Sequence, residues 1–439
     1  MTMTNAYDPG AADALPARDR DLIARRERLL GPAYRLFYAN PVHLVRGEGV
    51  WLHGPEGERY LDAYNNVACV GHCHPHVVAA LASQAAVLNT HTRYLNDTVL
   101  DYAERLLGYF PKGLGNVIFT CTGSEANDLA LRVARAHTGG TGVIVTNFAY
   151  HGVTAALAEL SPSLGPAMTP GAHVRMVAAP ESAPRDGQDV GAAFEAGVRA
   201  AIADLQAKGI RPAALLVDTI FSSDGVFADP PGFLSGAVAA IREAGGLFIA
   251  DEVQPGFGRT GAGMWGFSRH GVLPDMVSLG KPMGNGHPMA GLVARPEVLE
   301  RFGRQMRYFN TFGGNPVSAA VGMAVLDVIE NEGVVANASS TGAYLRAGIE
   351  RLAARHATIG DIRGAGLFLG VEMVTDPESR TPAPELAAAV VNGLRARRVL
   401  ISASGPAGNV LKIRPPLVFS PENADLLLET LGAVLGKPS

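Results

Sequence analysis

Charged residues are scarce in this sequence. Lys and Arg total 37 and Asp and Glu total 41, together 18% of 439 residues, against roughly 25% in an average soluble domain. No segment clusters Lys and Arg as a nucleic-acid-binding surface does, so we expect no nucleic-acid partner. Apolar residues reach 47%, which excludes disorder, because disordered chains combine high charge with low hydrophobicity. So little charge beside so much apolar surface indicates that another subunit covers part of the chain.

Cysteine and long apolar runs are also lacking. Cys69, Cys73 and Cys121 are the only cysteines in the sequence. They are too few for a disulfide framework, which favours a reducing compartment. No run approaches the roughly 18 apolar residues of a membrane span, and the polar N-terminal segment lacks the apolar core of a secretory signal. The sequence therefore predicts a cytoplasmic protein that contacts no membrane.

Short apolar runs alternate with longer helical patterns beyond residue 100. Most of the runs are apolar on both faces, as strands covered by helices on both sides are. They span residues 117–120, 143–146, 174–177, 214–218, 247–251, 276–280 and 290–294. The alternation predicts an α/β fold with a mainly parallel sheet flanked by helices. The last two runs follow each other without a helix between them, which predicts an antiparallel edge.

The rest of the chain predicts two flanking regions. Residues 40–62 read as short strands broken by glycines, typical of a small antiparallel meander. Beyond residue 316 a mixture of helices and strands indicates a smaller α+β domain. We predict helices over 316–332, 343–356, 383–397 and 421–435, with strands over 366–372, 399–402 and 410–413. The predicted domains are an N-terminal segment 1–62 packing with the small domain, a large domain 63–315 and the small domain 316–439.

The residues that could bind a ligand or take part in catalysis lie at or just after the carboxyl ends of the predicted strands, where open parallel sheets bind ligands. Gly123 and Ser124 begin a helix after the first strand, where free backbone amides favour a phosphate. Taken alone, this pattern also fits an ordinary N-cap. Tyr150 follows the second strand, and its ring can stack on a planar ligand or simply belong to the core.

Two charged residues follow later strands. Asp251 ends an apolar strand, and a buried carboxylate there needs donors or a cation, such as a protonated ring nitrogen. A helix-capping role fits Asp251 about equally well. Lys281 follows a buried run and enters a Gly-rich turn, and a desolvated lysine has a lowered pKa and can form a Schiff base. A phosphate turn, an aromatic ring, an Asp and a Lys in this order describe a site for pyridoxal 5'-phosphate.

Several motifs closely resemble those of class III (ω-type) aminotransferases of pyridoxal-phosphate fold-type I. They are TGSEANDLALRVAR, YHG, LFIADEVQPGFGRTG, SLGKPMGNGHP and FNTFGGNP, and the resemblance spans residues 35–435. It implies that Asp251 and Lys281 are catalytic, with Lys281 holding the cofactor covalently. The cofactor contacts that it implies are Gly123, Ser124, Tyr150, His151, Asp251, Gln254, Lys281 and Thr311.

The resemblance also implies an assembly, because Thr311 would reach the cofactor phosphate of a neighbouring subunit. We therefore expect a homodimer or a dimer of dimers. No metal is expected. His72 and His74 flank Cys73, but neighbours in an extended segment point to opposite faces and do not easily share one ion.

One departure from the family concerns the substrate. Many members bind the substrate's carboxylate with an Arg three residues before a C-terminal Pro-Pro pair, and here Lys412 stands at that position. Lys cannot make the bidentate contact of Arg. Arg414 is close by, and the candidates for holding an anionic substrate group are Lys412, Arg414, Arg93, Tyr64 and Asn65.

The resemblance implies an aminotransferase that moves an amino group from an amine or ω-amino acid to a keto acid such as pyruvate. The segments NNVACVGHCHP, GKPMGNGHP and NVLKIRPP resemble a subgroup that includes ethanolamine-phosphate and phosphohydroxylysine phospho-lyases. The alternative is therefore elimination of phosphate from a phosphorylated amine such as ethanolamine phosphate. Racemisation is a third outcome of the same chemistry, whereas a non-catalytic cofactor-binding protein is disfavoured because Lys281 is present.

Overall fold

The computed structural model describes residues 5–180, 189–376 and 378–436. Its α-helices are α1 (Ala17–Leu30), α2 (Pro75–Ala85), α3 (Asp97–Leu107), α4 (Gly123–Thr138), α5 (Ala155–Ala158), α6 (Val190–Ala207), α7 (Ser235–Glu243), α8 (Pro296–Gln305), α9 (Pro316–Asn331), α10 (Val334–Ala353), α11 (Pro384–Ala396) and α12 (Pro421–Leu435). Among the described residues, no helix is both long and apolar enough to cross a membrane.

The strands are short, as is typical of a sheet covered by helices. They are β1 (Arg46–Glu48), β2 (Trp51–His53), β3 (Arg59–Asp62), β4 (Asn116–Thr120), β5 (Gly142–Thr146), β6 (Val174–Val177), β7 (Pro212–Asp218), β8 (Leu247–Asp251), β9 (Met276–Leu279), β10 (Ala290–Ala294), β11 (Ile359–Ala365), β12 (Phe368–Met373), β13 (Val399–Leu400), β14 (Ser402–Ser404) and β15 (Val410–Ile413). Each of the seven predicted strands between residues 100 and 300 is present, which confirms the α/β fold class.

The central sheet has seven strands in the order β4-β10-β9-β8-β7-β5-β6. All neighbours are parallel except that β10 runs antiparallel to both β9 and β4. The predicted antiparallel edge is confirmed, because β10 lies one strand in from the edge and is antiparallel to the edge strand β4 as well as to β9. A short segment, and not a crossover helix, joins β9 to β10, so the chain must turn back on itself.

Two four-stranded sheets complete the fold. The meander β1-β2-β3 is antiparallel as predicted, and β3 also pairs in parallel with β13, so the N-terminal segment and the C-terminal part share one sheet. The other, called here the C-terminal sheet, has the order β11-β12-β15-β14 and is antiparallel throughout. Strand β11 was not predicted, because its sequence IGDIRGA lacks a regular alternation of apolar and polar residues. The domain boundaries themselves stay a prediction.

The register of the central sheet brings candidate functional residues together. Asp218 at the end of β7 is paired with Asp251 at the end of β8. Asp251 is in turn paired with Ser278 on β9, three residues before Lys281. Because these strands are parallel, their carboxyl ends open at one edge of the sheet, and the candidate active site lies there.

Candidate active site

A turn suited to phosphate lies between β4 and α4. The helix is capped by Thr122, whose hydroxyl accepts from the Glu125 amide at 3.1 Å, and the Glu125 carboxylate accepts from the Thr122 amide at 3.0 Å. Helix geometry leaves the amides of Gly123 and Ser124 without an intrahelical acceptor, at the positive end of a 16-residue helix. A Cβ at Gly152 would lie 2.7 Å from the Ser124 hydroxyl, so the turn depends on that glycine.

Asp251 is a buried and ionised carboxylate. Its Oδ2 accepts from the Asn127 side chain at 2.9 Å and lies 2.8 Å from Nδ1 of His151. Oδ1 accepts from the Val253 amide at 3.1 Å. Burial alone would raise the pKa of Asp251, but the hydrogen bond and charge of His151 hold it below the ordinary value. Such a carboxylate can hold a cation such as a protonated ring nitrogen.

Lys281 shares a cavity with these groups. The cavity is lined by Gly123, Ser124, Asn127, Tyr150, His151, Gly152, Asp218, Asp251, Val253, Gln254 and Lys281. Burial, and then the charge of Arg414, lowers the pKa of Lys281 to about 8, against the opposing effect of Asp251. Part of the amine is therefore neutral near physiological pH, as a nucleophilic lysine requires.

A second cavity, of about 370 Å³, is also lined by Lys281; it is a candidate for the substrate site and is called here the substrate cavity. Lys281, Arg414, Tyr64 and Asn65 all line it. The Arg414 side chain is held from two directions. Its Nε donates to the Tyr64 carbonyl at 3.0 Å, and it also donates to the Gln254 side-chain oxygen. The Arg414 guanidinium also lies 4.5 Å from the centre of the Tyr64 ring.

Lys412 does not line this cavity. Its Nζ donates to the Ser222 carbonyl at 2.9 Å, and the Ser222 hydroxyl and amide both donate to Asp218. Burial, and then the charge of Arg414, lowers the pKa of Lys412 well below its ordinary value. Of the two candidate cations, Arg414 is thus the one that shares the substrate cavity with Lys281.

Two predicted residues lie elsewhere in the single chain. Thr311 is exposed, in a turn between Phe309 and Phe312. The guanidinium of Arg93 stacks 3.8 Å from the Phe309 ring centre, in a separate cavity of about 510 Å³. The structure therefore does not bring Thr311 or Arg93 to Lys281 within one subunit.

Sequence reasoning missed two polar residues of the site. Asn127 is a buried polar residue among the apolar residues of α4, and that exception is the signal that could have revealed it. Ser222 joins Asp218, Lys412 and Gln254 through hydrogen bonds. Nothing in the local sequence distinguishes Ser222 from an ordinary loop serine.

The residues around Lys281 fit pyridoxal phosphate. Free amides and a glycine-dependent turn suit its phosphate, an ionised buried carboxylate suits its ring nitrogen, and a lysine with a lowered pKa suits its aldehyde. Tyr150 lines the same cavity, and its stacking on the ring stays a prediction. The described residues contain no cluster of three or more His, Cys, Asp or Glu that could hold a metal ion. The fold and the site thus define a pyridoxal-phosphate enzyme of fold type I.

Comparison with known proteins agrees. The family model "Aminotransferase class-III" matches residues 37–435, so the chain belongs to the class III aminotransferase family, whose members depend on pyridoxal phosphate. It is 42% identical to a Drosophila melanogaster protein named alanine–glyoxylate aminotransferase 2-like, over 94% of this chain and 87% of that protein. It is 35% identical to a Caenorhabditis elegans ethanolamine-phosphate phospho-lyase homolog, over 97% and 95%.

A solved structure is similar over nearly the whole chain. It is a phospholyase from Arthrobacter in complex with phosphoethanolamine, with a TM-score of 0.92 and 48% sequence identity, covering 94% of this chain and 99% of that one. Relatives of this chain are therefore named both as aminotransferases and as phospho-lyases, and the two predicted reactions have comparable support.

Proposed function

We propose that this enzyme is a lyase that removes phosphate from a phosphorylated amine of the ethanolamine phosphate class. The proposal rests on the charge of the substrate cavity. Arg414 is only 8% exposed, yet it forms no ion pair with any carboxylate of the described residues. A buried charge needs a counter-charge. A substrate anion in the substrate cavity supplies one.

The surroundings of Arg414 favour a doubly charged anion. Lys412 and Arg259 are also buried and also lack an ion pair within the described part of the chain. The charge of Arg414 contributes to lowering the pKa of both, so each of the two lies close enough to Arg414 for the charges to repel. A phosphate monoester dianion balances such a cluster better than one carboxylate does. The similarity to a phospholyase with bound phosphoethanolamine supports the same choice.

Each residue then has a task. When bound, pyridoxal phosphate supplies an electron sink for charge that develops on the substrate carbon beside the nitrogen. Lys281 would take the proton from that carbon, which its lowered pKa permits near neutral pH. Arg414 would hold the phosphate group while its bond to the next carbon breaks and the electron pair leaves with inorganic phosphate. Asp251 would hold the positive charge of the ring nitrogen.

The test is phosphate release from ethanolamine phosphate by the purified holoenzyme without any keto acid. We expect stoichiometric phosphate release. We also expect Arg414→Met to raise KM by about 100-fold, because truncating one member of a buried charged pair costs about 2–5 kcal/mol. Arg397→Met, at an exposed position on the same part of the chain, is the control and should leave KM unchanged. Absence of phosphate release, or an unchanged KM in Arg414→Met, would refute the proposal.

Transamination is the second candidate, favoured by the family match and by the 42% identical relative. It needs a keto acid and yields an amino acid without releasing phosphate. Incubation with a panel of amines and pyruvate, with alanine as the measured product, separates the two reactions. Alanine formation without phosphate release would assign transamination.

We also propose that the enzyme is a homodimer whose second subunit brings Thr311 to the cofactor. Exposed apolar side chains surround Thr311 and the cavity that contains Arg93. Leu95 is 99% exposed and Phe312 is 70% exposed. Large exposed apolar side chains near one another in this way are typical of an interface, and a second subunit on them would account for the low charge of the sequence.

Replacing Leu95 with glutamate should dissociate the dimer. In a twofold-symmetric interface the substitution occurs twice, and each buried unpaired carboxylate costs about 3–5 kcal/mol. Sedimentation should find the wild type at about twice the subunit mass of 45.8 kDa and the variant at the subunit mass. Leu426→Glu, an exposed leucine on α12, is the control that should stay dimeric. A monomeric wild type would overturn the proposal.

A further inference from the structure

Arg259 is an arginine that the proposed function does not use and that the structure buries completely. Its exposed fraction is 0%, and it forms no ion pair among the residues that the structure describes. Its Nε and one terminal nitrogen have no hydrogen-bond partner. A fully buried guanidinium without a counter-ion is costly. Ordinary packing does not explain why arginine stands here.

The hydrogen bonds of Arg259 join two parts of the fold. The residue lies in the loop after β8, and its other terminal nitrogen donates to the carbonyls of Leu367 and Pro415 in the C-terminal part of the chain. The Leu367 amide donates back to the Arg259 carbonyl at 3.1 Å. Pro415 directly follows Arg414, so Arg259 binds the peptide next to the cation that shares the substrate cavity with Lys281.

Close backbone packing fixes this contact. A Cβ at Gly366 would lie 2.6 Å from the Arg259 carbonyl oxygen and 2.5 Å from the carbonyl carbon of Thr260. Gly366 has a φ of +55°, which favours glycine. The turn between β11 and β12 therefore lies directly on the loop of Arg259, which leaves the loop no room to shift towards it.

We propose that Arg259 is a positioning residue that holds Arg414 in place for the anionic group of the substrate. It acts through the Pro415 carbonyl. Its own buried charge, which has no carboxylate in direct contact among the described residues, adds to the positive potential of the substrate cavity. The identity of the anion rests on the proposed function, whereas the role of Arg259 toward Arg414 does not.

The test measures binding of inorganic phosphate to the holoenzyme by calorimetry, with the cofactor's own phosphate site filled. Arg259→Met should raise the Kd for phosphate, and the KM for ethanolamine phosphate, by about 10- to 100-fold, as small misplacements of a binding group do. The kcat should stay within about threefold, because Lys281 and Asp251 are untouched. Arg259→Lys keeps the charge but loses the two-carbonyl contact, and it should fall between the wild type and Arg259→Met.

Arg363→Met is the matched control. Like Arg259, Arg363 is a buried arginine; it lies on β11 of the C-terminal sheet and donates to the Gly225 carbonyl at 3.1 Å. Unlike Arg259, it is paired with two carboxylates, those of Asp361 and Glu372. The Arg363→Met variant should be less stable than the wild type but should bind phosphate with the same affinity. If Arg259→Met does not fold, Gly366→Ala serves as a second variant. It displaces the turn between β11 and β12 from the loop of Arg259 without removing a charge, and it should weaken phosphate binding in the same way.

Two outcomes separate the two proposals. If the wild type releases no phosphate from ethanolamine phosphate but binds inorganic phosphate, and Arg259→Met weakens that binding, the role of Arg259 stands and the lyase function falls. If the wild type is a lyase and both Arg259→Met and Gly366→Ala keep its KM and phosphate Kd, the role of Arg259 is wrong. Equal weakening by Arg363→Met would also overturn it.

Discussion

Replacing Lys281 with alanine should lower kcat by at least about 10³-fold, because the variant loses both the covalent link to the cofactor and the group that moves the substrate proton. The measurement is phosphate release from ethanolamine phosphate, or alanine formation from an amine and pyruvate, at saturating cofactor. The visible absorbance of the lysine-linked cofactor should disappear with it. Lys208→Ala, at an exposed lysine paired with Asp204, is the control and should keep both signals.

The pKa of Lys281 gives this prediction a second readout. An amine attacks an aldehyde only in its neutral form, and the pKa of Lys281 is about 8 because the side chain is buried. Cofactor uptake by the cofactor-free protein should therefore accelerate about tenfold per pH unit up to about pH 8 and then level off. A rate that keeps rising to pH 10 would mean an ordinary lysine. Full turnover in Lys281→Ala would contradict the role of this residue altogether.

The sequence was most informative for residues whose side chains suit cofactor chemistry and which stand at the ends of successive strands. Gly123, Tyr150, Asp251 and Lys281 each end or follow a predicted strand, and the sheet brings all four to one cavity. This grouping follows from fold class alone, because parallel strands end at the same edge. The β10 reversal does not disturb it, since β8 and β9 stay parallel.

Contacts between distant segments could not be predicted in the same way. Lys412 and Arg414 are two residues apart and share a strand pattern, yet only Arg414 lines the substrate cavity. The difference comes from the loop after β7, where the Ser222 carbonyl accepts from Lys412. Gln254 was expected near the cofactor ring, and in the structure its side chain also joins Ser222 to Arg414. No local pattern encodes these distances.

Asp251→Asn is the other substitution with a large expected effect. The residue is 4% exposed and its side chain accepts three hydrogen bonds, and it is ionised because its pKa lies below the ordinary value. An amide keeps the shape but removes the charge that would hold the ring nitrogen protonated. Leaving a buried charge without its partner costs about 3–5 kcal/mol. If that cost falls on the transition state, kcat drops by about 10²- to 10³-fold.

The loss should appear in kcat and not in KM, because Arg414 and the substrate cavity are unchanged. Asp224→Asn is the matched control. Asp224 is also a buried carboxylate that follows the end of β7, accepting from the Thr146 hydroxyl at 2.7 Å and the Phe148 amide at 3.0 Å, but it does not line the Lys281 cavity. A general loss of packing would affect both variants alike, whereas loss of the ring-nitrogen partner affects Asp251→Asn alone. Equal kcat values in the two variants would therefore remove Asp251 from the catalytic machinery.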